Sequence, residues 1–355
     1  MFPIALAALS TVGLDTFDSH RVALAVLGGI GVVLVGLVGR RLAGPAVGLI
    51  AACIAALHPL WVQPAGVIMS ESLYLIIVPG VLLLALYALS APSIGRFIAL
   101  GALIGVATLT RSEALLLVVF VGAPTVILAR VRRVVYGVVL IAGTLAIVGP
   151  WVVRNAIQLD GPTLSTNAGA TLSGSYCDDV FSGRRFGGWE VTCAIGLDEV
   201  LHGQRGEPVA ADRALVRYAA DYAHDRLGKL PLVATARVGR LWGVYQSGDQ
   251  LAFDVAEGRE QGWQEAGQYF HWLLLPCAIA GIAVVNDRKW LLILGPIVLA
   301  TINAAVFYGS TRIRVVAEPS LALFAAFGIV TLAGKIRDRV AHTPRRPALT
   351  CGAFD

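Results

Sequence analysis

Apolar residues come in long blocks along this chain, separated by short polar breaks. The blocks occupy 21–37, 45–57, 71–89, 97–109, 114–129 and 134–153. After a polar middle they resume at 269–285, 290–308 and 319–332. Gly39-Arg40-Arg41 ends the first block and His58-Pro59 the second, and Pro92 with Arg96 marks the turn after the third. Arg130, Arg132 and Arg133 close the fifth, and Pro150-Trp151 with Arg154 closes the sixth. Such blocks are long enough to cross a bilayer, which a soluble core would not require. They predict about nine spans. Several fall short of the usual ~20 residues, so they must tilt, kink at Gly or Pro, or extend into flanking residues. The expected fold is mainly α, a polytopic transmembrane helix bundle with an extracytoplasmic α-rich domain.

This divides the chain into an N-terminal transmembrane bundle (1–153), the extracytoplasmic domain (154–266), C-terminal transmembrane helices (267–334) and a basic tail (335–355). The polar domain begins rich in Gly, Ser and Thr and then turns helical. Residues 208–227 carry a helical apolar rhythm through Leu215, Tyr218, Ala219 and Tyr222. Residues 230–242 set Leu232, Ala236, Val238 and Leu241 against Arg237 and Arg240. This amphipathic segment either lies on the bilayer surface or packs on the rest of its domain.

Composition agrees with the pattern. Hydrophobic residues make up 57% of the chain and charged residues 14%, where a soluble domain is about a quarter charged. The mean hydropathy is +0.74. The net charge of +5 does not signal nucleic-acid binding, because most arginines sit in short turns and in the tail, as the positive-inside rule expects. Placing Arg40 and Arg41 in the cytoplasm puts Arg96, Arg130, Arg132, Arg133, Asp287-Arg288-Lys289 and the tail there too. Residues 58–70, 110–113, the polar middle and 309–318 then face outward, in a plasma-membrane protein with a cytoplasmic C-terminus. An odd number of spans puts Met1 outside. Residues 2–12 are apolar but short and lack a signal-peptide pattern, which predicts an interfacial or re-entrant helix, with either a missing upstream span or a natural start on the outer side.

Ionisable groups at the outer ends of spans can meet a lipid head group and a water-borne substrate together. Ser70-Glu71 opens one span, where Ser70 can cap the helix and Glu71 can serve its macrodipole or do chemistry. Thr110-Arg111-Ser112-Glu113 is a polar turn in which Arg111 could face a lipid phosphate with Glu113 holding it. Arg312 and Arg314 lie just after a span, on the outer face and against the positive-inside bias. Arginine forks bind phosphate bidentately, although Glu318 could neutralise either one. Cys177 and Cys193 flank a Gly-, Asp- and Arg-rich loop that a disulfide would close, the alternative being two free thiols. Cys53 and Cys277 read as small apolar residues and Cys351 as tail. His20, His58, His202, His224, His271 and His342 are scattered without metal-ligand spacing, so no metal site is expected. A phosphate loop, a nucleophile elbow and a dinucleotide fingerprint are all absent.

Several stretches, taken in order, resemble the GT-C glycosyltransferases, in particular the protein-mannosyltransferase-like branch (glycosyltransferase family 39-like) of actinobacterial type. They are Gly39-Arg40-Arg41-Leu42-Ala43-Gly44, Leu57-His58-Pro59 with Met69-Ser70-Glu71, Ala107-Thr108-Leu109-Thr110-Arg111-Ser112-Glu113 and Gly149-Pro150-Trp151-Val152-Val153-Arg154-Asn155. Thr166-Asn167-Ala168-Gly169 with Tyr176-Cys177, Val238-Gly239-Arg240-Leu241-Trp242-Gly243 and Tyr308-Gly309-Ser310-Thr311-Arg312-Ile313-Arg314 with Glu318-Pro319 continue the series. Each is weak alone; their order and their agreement with the topology make the set specific.

The resemblance implies transfer of a sugar from a polyprenyl-phosphate donor to an outer-face acceptor that is a protein, glycan or lipid. On this basis Glu71 matches an acidic catalytic position, Arg312 and Arg314 the basic motif near the donor phosphate, and Arg111 with Glu113 a polar turn close to the cavity. No nucleotide is needed, and a divalent cation is left open. The family's principal acid lies after the first span, upstream of what this chain matches, so truncation or loss of the main base is expected. A transporter or flippase should show inverted repeats and charges inside its spans. Asn303 is the main polar exception within a span and reads as helix–helix glue. A catalytically degenerate subunit is the third alternative.

Overall fold

The structure is a computed structural model, and it describes residues 2–195, 197, 200–201 and 206–341; the side chains of 63–65 and 338–341 are excepted. Met1, His202, His342 and Cys351 lie outside the described residues, as does the tail from 342 onward.

Every apolar block is helical. A short helix α1 (Phe2–Thr11) precedes α2 (Phe17–Ala43), α3 (Pro45–Leu57), α4 (Pro59–Gly66), α5 (Glu71–Ser90) and α6 (Ile94–Thr110). Next come a 3₁₀ turn (Ser112–Leu116), a π turn (Val118–Gly122), α7 (Ala123–Leu128) and α8 (Arg133–Gln158). The polar middle contributes the short helices α9 (Ala168–Ser173), α10 (Asp178–Phe181) and α11 (Val191–Ile195), then α12 (Pro208–His224), α13 (Leu230–Leu241) and α14 (Ser247–Ala256). The chain returns through α15 (Gln261–Val284), α16 (Trp290–Val306), a 3₁₀ turn (Ile313–Val316) and α17 (Glu318–Ala341). Among the described residues five helices are long and apolar enough to cross a membrane: α2, α5, α8, α15 and the Glu318–Arg337 part of α17. The other four blocks form shorter apolar helices, α3, α6, α16 and the broken Ser112–Leu128 segment. The chain is a mainly α polytopic membrane protein.

Local chemistry sets the helix ends. Thr16 caps α2 in a reciprocal box with Ser19, which satisfies two otherwise orphaned donors. Asp18 in its first turn and Arg40 and Arg41 in its last complement the macrodipole. Gly44 then takes φ +93 and Pro45 starts α3 at once. Ser70 does not cap α5; its hydroxyl donates to Glu71 Oε2 instead.

Between apolar helices in lipid, close packing replaces the hydrophobic drive. A Cβ on Gly101 of α6 would strike the Leu140 carbonyl of α8, and one on Gly143 of α8 would strike the Ile98 carbonyl of α6. The core of the bundle is a continuous Val, Leu, Ile and Ala cluster, to which Trp290 adds ring contacts with Phe324 and Phe327.

The polar middle has its own small core of Cys177, Val180, Phe181, Tyr222 and Val233, and Cys177 is disulfide-bonded to Cys193. It is clamped to the bundle by Arg237 of α13, which is 1% exposed. Arg237 donates to the carbonyls of Ser175, Ala305 and Val306, and the Tyr176 hydroxyl also donates to Val306. The arginine side of α13 is therefore its packed side, while Leu232 is exposed. Residues 230–242 pack within the protein through both kinds of side chain, Val233, Ala236 and Leu241 being buried together with Arg237 and Arg240.

Candidate functional site

The two ends of the bundle differ in chemistry. At one end the arginines of the turns meet each other's helices: Arg41 donates to Ser90 Oγ at 2.6 Å, and Arg96 donates to the carbonyls of Tyr87 and Ala91. At the other end lie the start of α5, the end of α6 and the loop after α16. Here Glu71, Arg111 and Arg312 converge although they are far apart in the chain. Glu71 Oε1 accepts from Arg111 Nη1 at 2.7 Å and from Arg312 Nε. Arg111 Nε in turn donates to Glu113 Oε1. Glu71 is 2% exposed, and its second oxygen accepts from Ser70.

Secondary structure explains this convergence. The α6 helix ends at Arg111, whose backbone is extended (φ −146, ψ 123), and the chain re-enters through a 3₁₀ and then a π turn. The break turns Arg111 and Glu113 toward α5 instead of along a continuous helix axis. π turns inside helices are frequent at functional sites. Arg312 sits on a loop held by polar contacts to the polar middle. Thr311 donates to Asp254 Oδ2 at 2.7 Å, Gln250 donates to Ser310 Oγ at 3.2 Å, and Gly309 N–H donates to the Gly187 carbonyl.

Two residues on, Arg314 points the other way. It is 0% exposed, donates through Nε to Glu318 Oε1 at 2.7 Å and through Nη1 to the Leu241 carbonyl at 3.2 Å. Glu318 also meets His58, whose Nε2 lies 3.2 Å from Oε2, although the pair is out of line for a hydrogen bond. His58 Nδ1 accepts the Leu60 N–H, so Nε2 is the nitrogen that carries a proton in the neutral ring. The structure thus brings Glu71, Ser70, Arg111, Glu113 and Arg312 together and places Arg314 in a separate buried cluster.

A cavity of about 360 Å³ opens beside the first group. Arg111, Glu113 and Arg312 line one part of it, and Ser165, Asn167 and Asn303 another. The loop carrying Ser165 and Asn167 is tied to α8 by Trp151 Nε1, which donates to the Leu164 carbonyl, and by Asn155 Nδ2, which donates to the Thr163 carbonyl. Burial opposes charge on Arg111, but the carboxylates of Glu113 and Glu71 outweigh it and hold the guanidinium well above its usual value. Burial likewise opposes charge on Arg312, and Glu71 again outweighs it. Burial raises the Tyr308 phenol, so it stays a neutral hydrogen-bond donor. Among the described residues no group of three or more His, Cys, Asp or Glu gathers as a metal site would require. What the arrangement presents is a pair of permanently charged arginine forks, fixed from behind by carboxylate, at a polar cavity. Such forks suit a phosphate.

Residues 1–153 match the family model of dolichyl-phosphate-mannose-protein mannosyltransferases. The mannosyltransferase match takes in Glu71, Arg111 and Glu113 and ends before the polar middle and Arg312. The match spans 153 of the 355 residues, less than half of the chain. Comparison with curated proteins and with solved structures gave no match.

Sequence reasoning missed Asn303, Tyr308, Ser165 and Asn167 as cavity residues. Asn303 is 8% exposed, and its amide makes no hydrogen bond to another described residue, so it is not the helix–helix glue expected of it. The available signal was an amide in an otherwise apolar helix one turn before an arginine-bearing loop.

Proposed function

We propose that this protein is a membrane glycosyltransferase that moves a sugar from a polyprenyl-phosphate-linked donor to an acceptor on the extracytoplasmic side. The observation that carries the reading is the convergence of Arg111 and Arg312 on one carboxylate beside a polar cavity at a single end of an apolar bundle. The match of residues 1–153 supports it independently.

In this reading the donor's prenyl chain lies against the apolar helices and its phosphate meets the free edges of Arg111 and Arg312. As the anomeric carbon is attacked, charge builds on the departing phosphate oxygen, and preorganised cations there lower the barrier. Glu71 holds both arginines in place, so the forks need no reorganisation when that charge develops. Asn303, Ser165, Asn167 and the Tyr308 hydroxyl offer neutral donors and acceptors for sugar or acceptor hydroxyls. A transporter would carry its charges inside the spans, whereas here Glu71, Arg111 and Arg312 meet at the end of the bundle.

The test uses the full chain in lipid nanodiscs with labelled dolichyl-phosphate mannose as probe donor and extracted cell membranes as the source of acceptors. Wild-type protein should release dolichyl phosphate and label an acceptor. Arg111→Ala and Arg312→Ala should each raise the donor KM roughly ten- to hundredfold, as loss of a charge-assisted contact of about 1.5–3 kcal/mol requires. A donor KM unchanged in both variants overturns the assignment of the phosphate site.

A further inference from the structure

We infer that Glu257, in the polar middle, is a second positioning residue for Arg312, so that a part of the protein outside the bundle completes the phosphate-binding fork; this rests on the transferase reading above. Arg111 shows the pattern. Two carboxylates hold it, Glu71 at Nη1 and Glu113 at Nε. Arg312 has Glu71 at Nε, and Glu257 Oε1 lies 3.6 Å from its Nη1, an ion pair too long for a hydrogen bond. Among the described residues, Nη2 of neither arginine makes a hydrogen bond. Those two nitrogens are what a phosphate can still engage, and both arginines line the 360 Å³ cavity.

The local sequence explains how Glu257 comes to stand there. The α14 helix ends at Ala256, and Gly258 takes φ +88, a conformation that glycine adopts without strain and that commonly ends a helix. The turn brings Arg259 back over the end of α14, where its N–H donates to the Asp254 carbonyl and its charge complements the macrodipole. Its guanidinium meets two carboxylates there. Nη2 donates to Glu257 Oε2 at 3.2 Å, and Nη1 lies 3.5 Å from Asp254 Oδ1. Glu257 is thus fixed through one oxygen by Arg259 and meets Arg312 with the other. Asp254 also accepts from Thr311, the residue before Arg312, so α14 secures the loop as well as the guanidinium it carries.

An unanchored arginine loses rotamer freedom when it grips a ligand, whereas one already held in place does not. Arg312 needs this more than Arg111 does, because its side chain is 30% exposed against 15%. Its surroundings fix it less, and it relies on its two carboxylates. Arg259 lines a second, narrower cavity together with Glu71 and Arg312, so the bundle and the polar middle meet at this fork. Asp254, Glu257 and Arg259 all lie beyond the residues that match the mannosyltransferase model, and only their geometry connects them with Arg312.

Glu257→Gln is the informative variant, because it keeps the shape of the side chain and removes its charge. In the nanodisc assay with labelled dolichyl-phosphate mannose, Glu257→Gln should raise donor KM roughly three- to fivefold, the size expected of one half-exposed ion pair. Its kcat should stay within about twofold of wild type. The same change made in Arg312→Ala should leave donor KM within about 1.5-fold of Arg312→Ala alone, since a residue that acts through Arg312 then has nothing to act on. A merely structural role would raise KM equally in both backgrounds. An unchanged donor KM in Glu257→Gln, or an equal rise with and without Arg312, overturns the proposal while wild-type transfer still supports the function. Absence of transfer by the wild-type protein overturns the transferase reading itself, and this proposal with it.

Discussion

Arg312 and Arg314 stand two positions apart and meet opposite fates, which decides what each can do. A 3₁₀ turn begins between them at Ile313, so their side chains leave the backbone in different directions. Arg312 remains 30% exposed in its side chain and reaches Glu71, whereas Arg314 disappears into contacts with Glu318 and the Leu241 carbonyl. Removing one partner of a buried pair leaves the other charge uncompensated, at a cost of about 3–5 kcal/mol. Arg314→Ala should therefore behave as a stability variant. Its thermal unfolding midpoint in detergent should fall well below those of wild type and Arg312→Ala, and the double change Arg314→Met with Glu318→Leu should recover much of the loss. A midpoint for Arg314→Ala equal to that of wild type would show that this buried pair is not a structural strut.

At the scale of elements, the disulfide between Cys177 and Cys193 stands for a part of the protein that apolar burial alone holds weakly. Among the described residues the small core around it contains five buried residues, and the sequence separation between the two cysteines is 16. Closing a loop of that length is worth about 3 kcal/mol in the chain-entropy model. Replacing both cysteines by serine should make the polar middle sensitive to protease at a concentration that leaves wild type intact, with the bundle helices still resistant. Equal digestion rates would remove the disulfide as the stabilising element. The blocks that became helices were readable because apolar runs bounded by Arg, Gly and Pro have few other solutions in a membrane. The break after Arg111 was readable as a polar turn, but its 3₁₀ and π geometry was not, since it follows from how the segment packs on its neighbours. Glu71, Arg111 and Arg312 could be singled out as charges at span ends. That they meet on one oxygen depends on contacts across 40 and 241 residues, which no local pattern encodes. Asn303 was visible as an oddity, yet its cavity role needed the loop carrying Ser165 and Asn167 to be in place.

For the whole molecule, the two ends of the bundle carry arginines in different electrostatic states. Among the described residues Arg40, Arg41, Arg96, Arg130, Arg132 and Arg133 form no salt bridge with a carboxylate, so each presents a full positive charge. Arg111 and Arg312 are paired with Glu71, and Arg111 also with Glu113. In the proposed orientation the turns that carry Arg40, Arg41, Arg96, Arg130, Arg132 and Arg133 face the cytoplasm, as the positive-inside rule expects of arginine-rich turns. The polar middle, clamped by Arg237 to the end of α16 next to the cavity, would in that orientation lie outside, where an oxidising environment suits its disulfide. Arg132 and Asp225 are both exposed, in the turn before α8 and in the polar middle respectively. In a background with Cys53, Cys277 and Cys351 replaced, a cysteine at position 225 should react with a membrane-impermeant maleimide in intact cells. A cysteine at 132 should react only after permeabilisation. The reverse pattern would put the arginine pair and its cavity on the cytoplasmic face, where a transferase serving extracytoplasmic acceptors could not work.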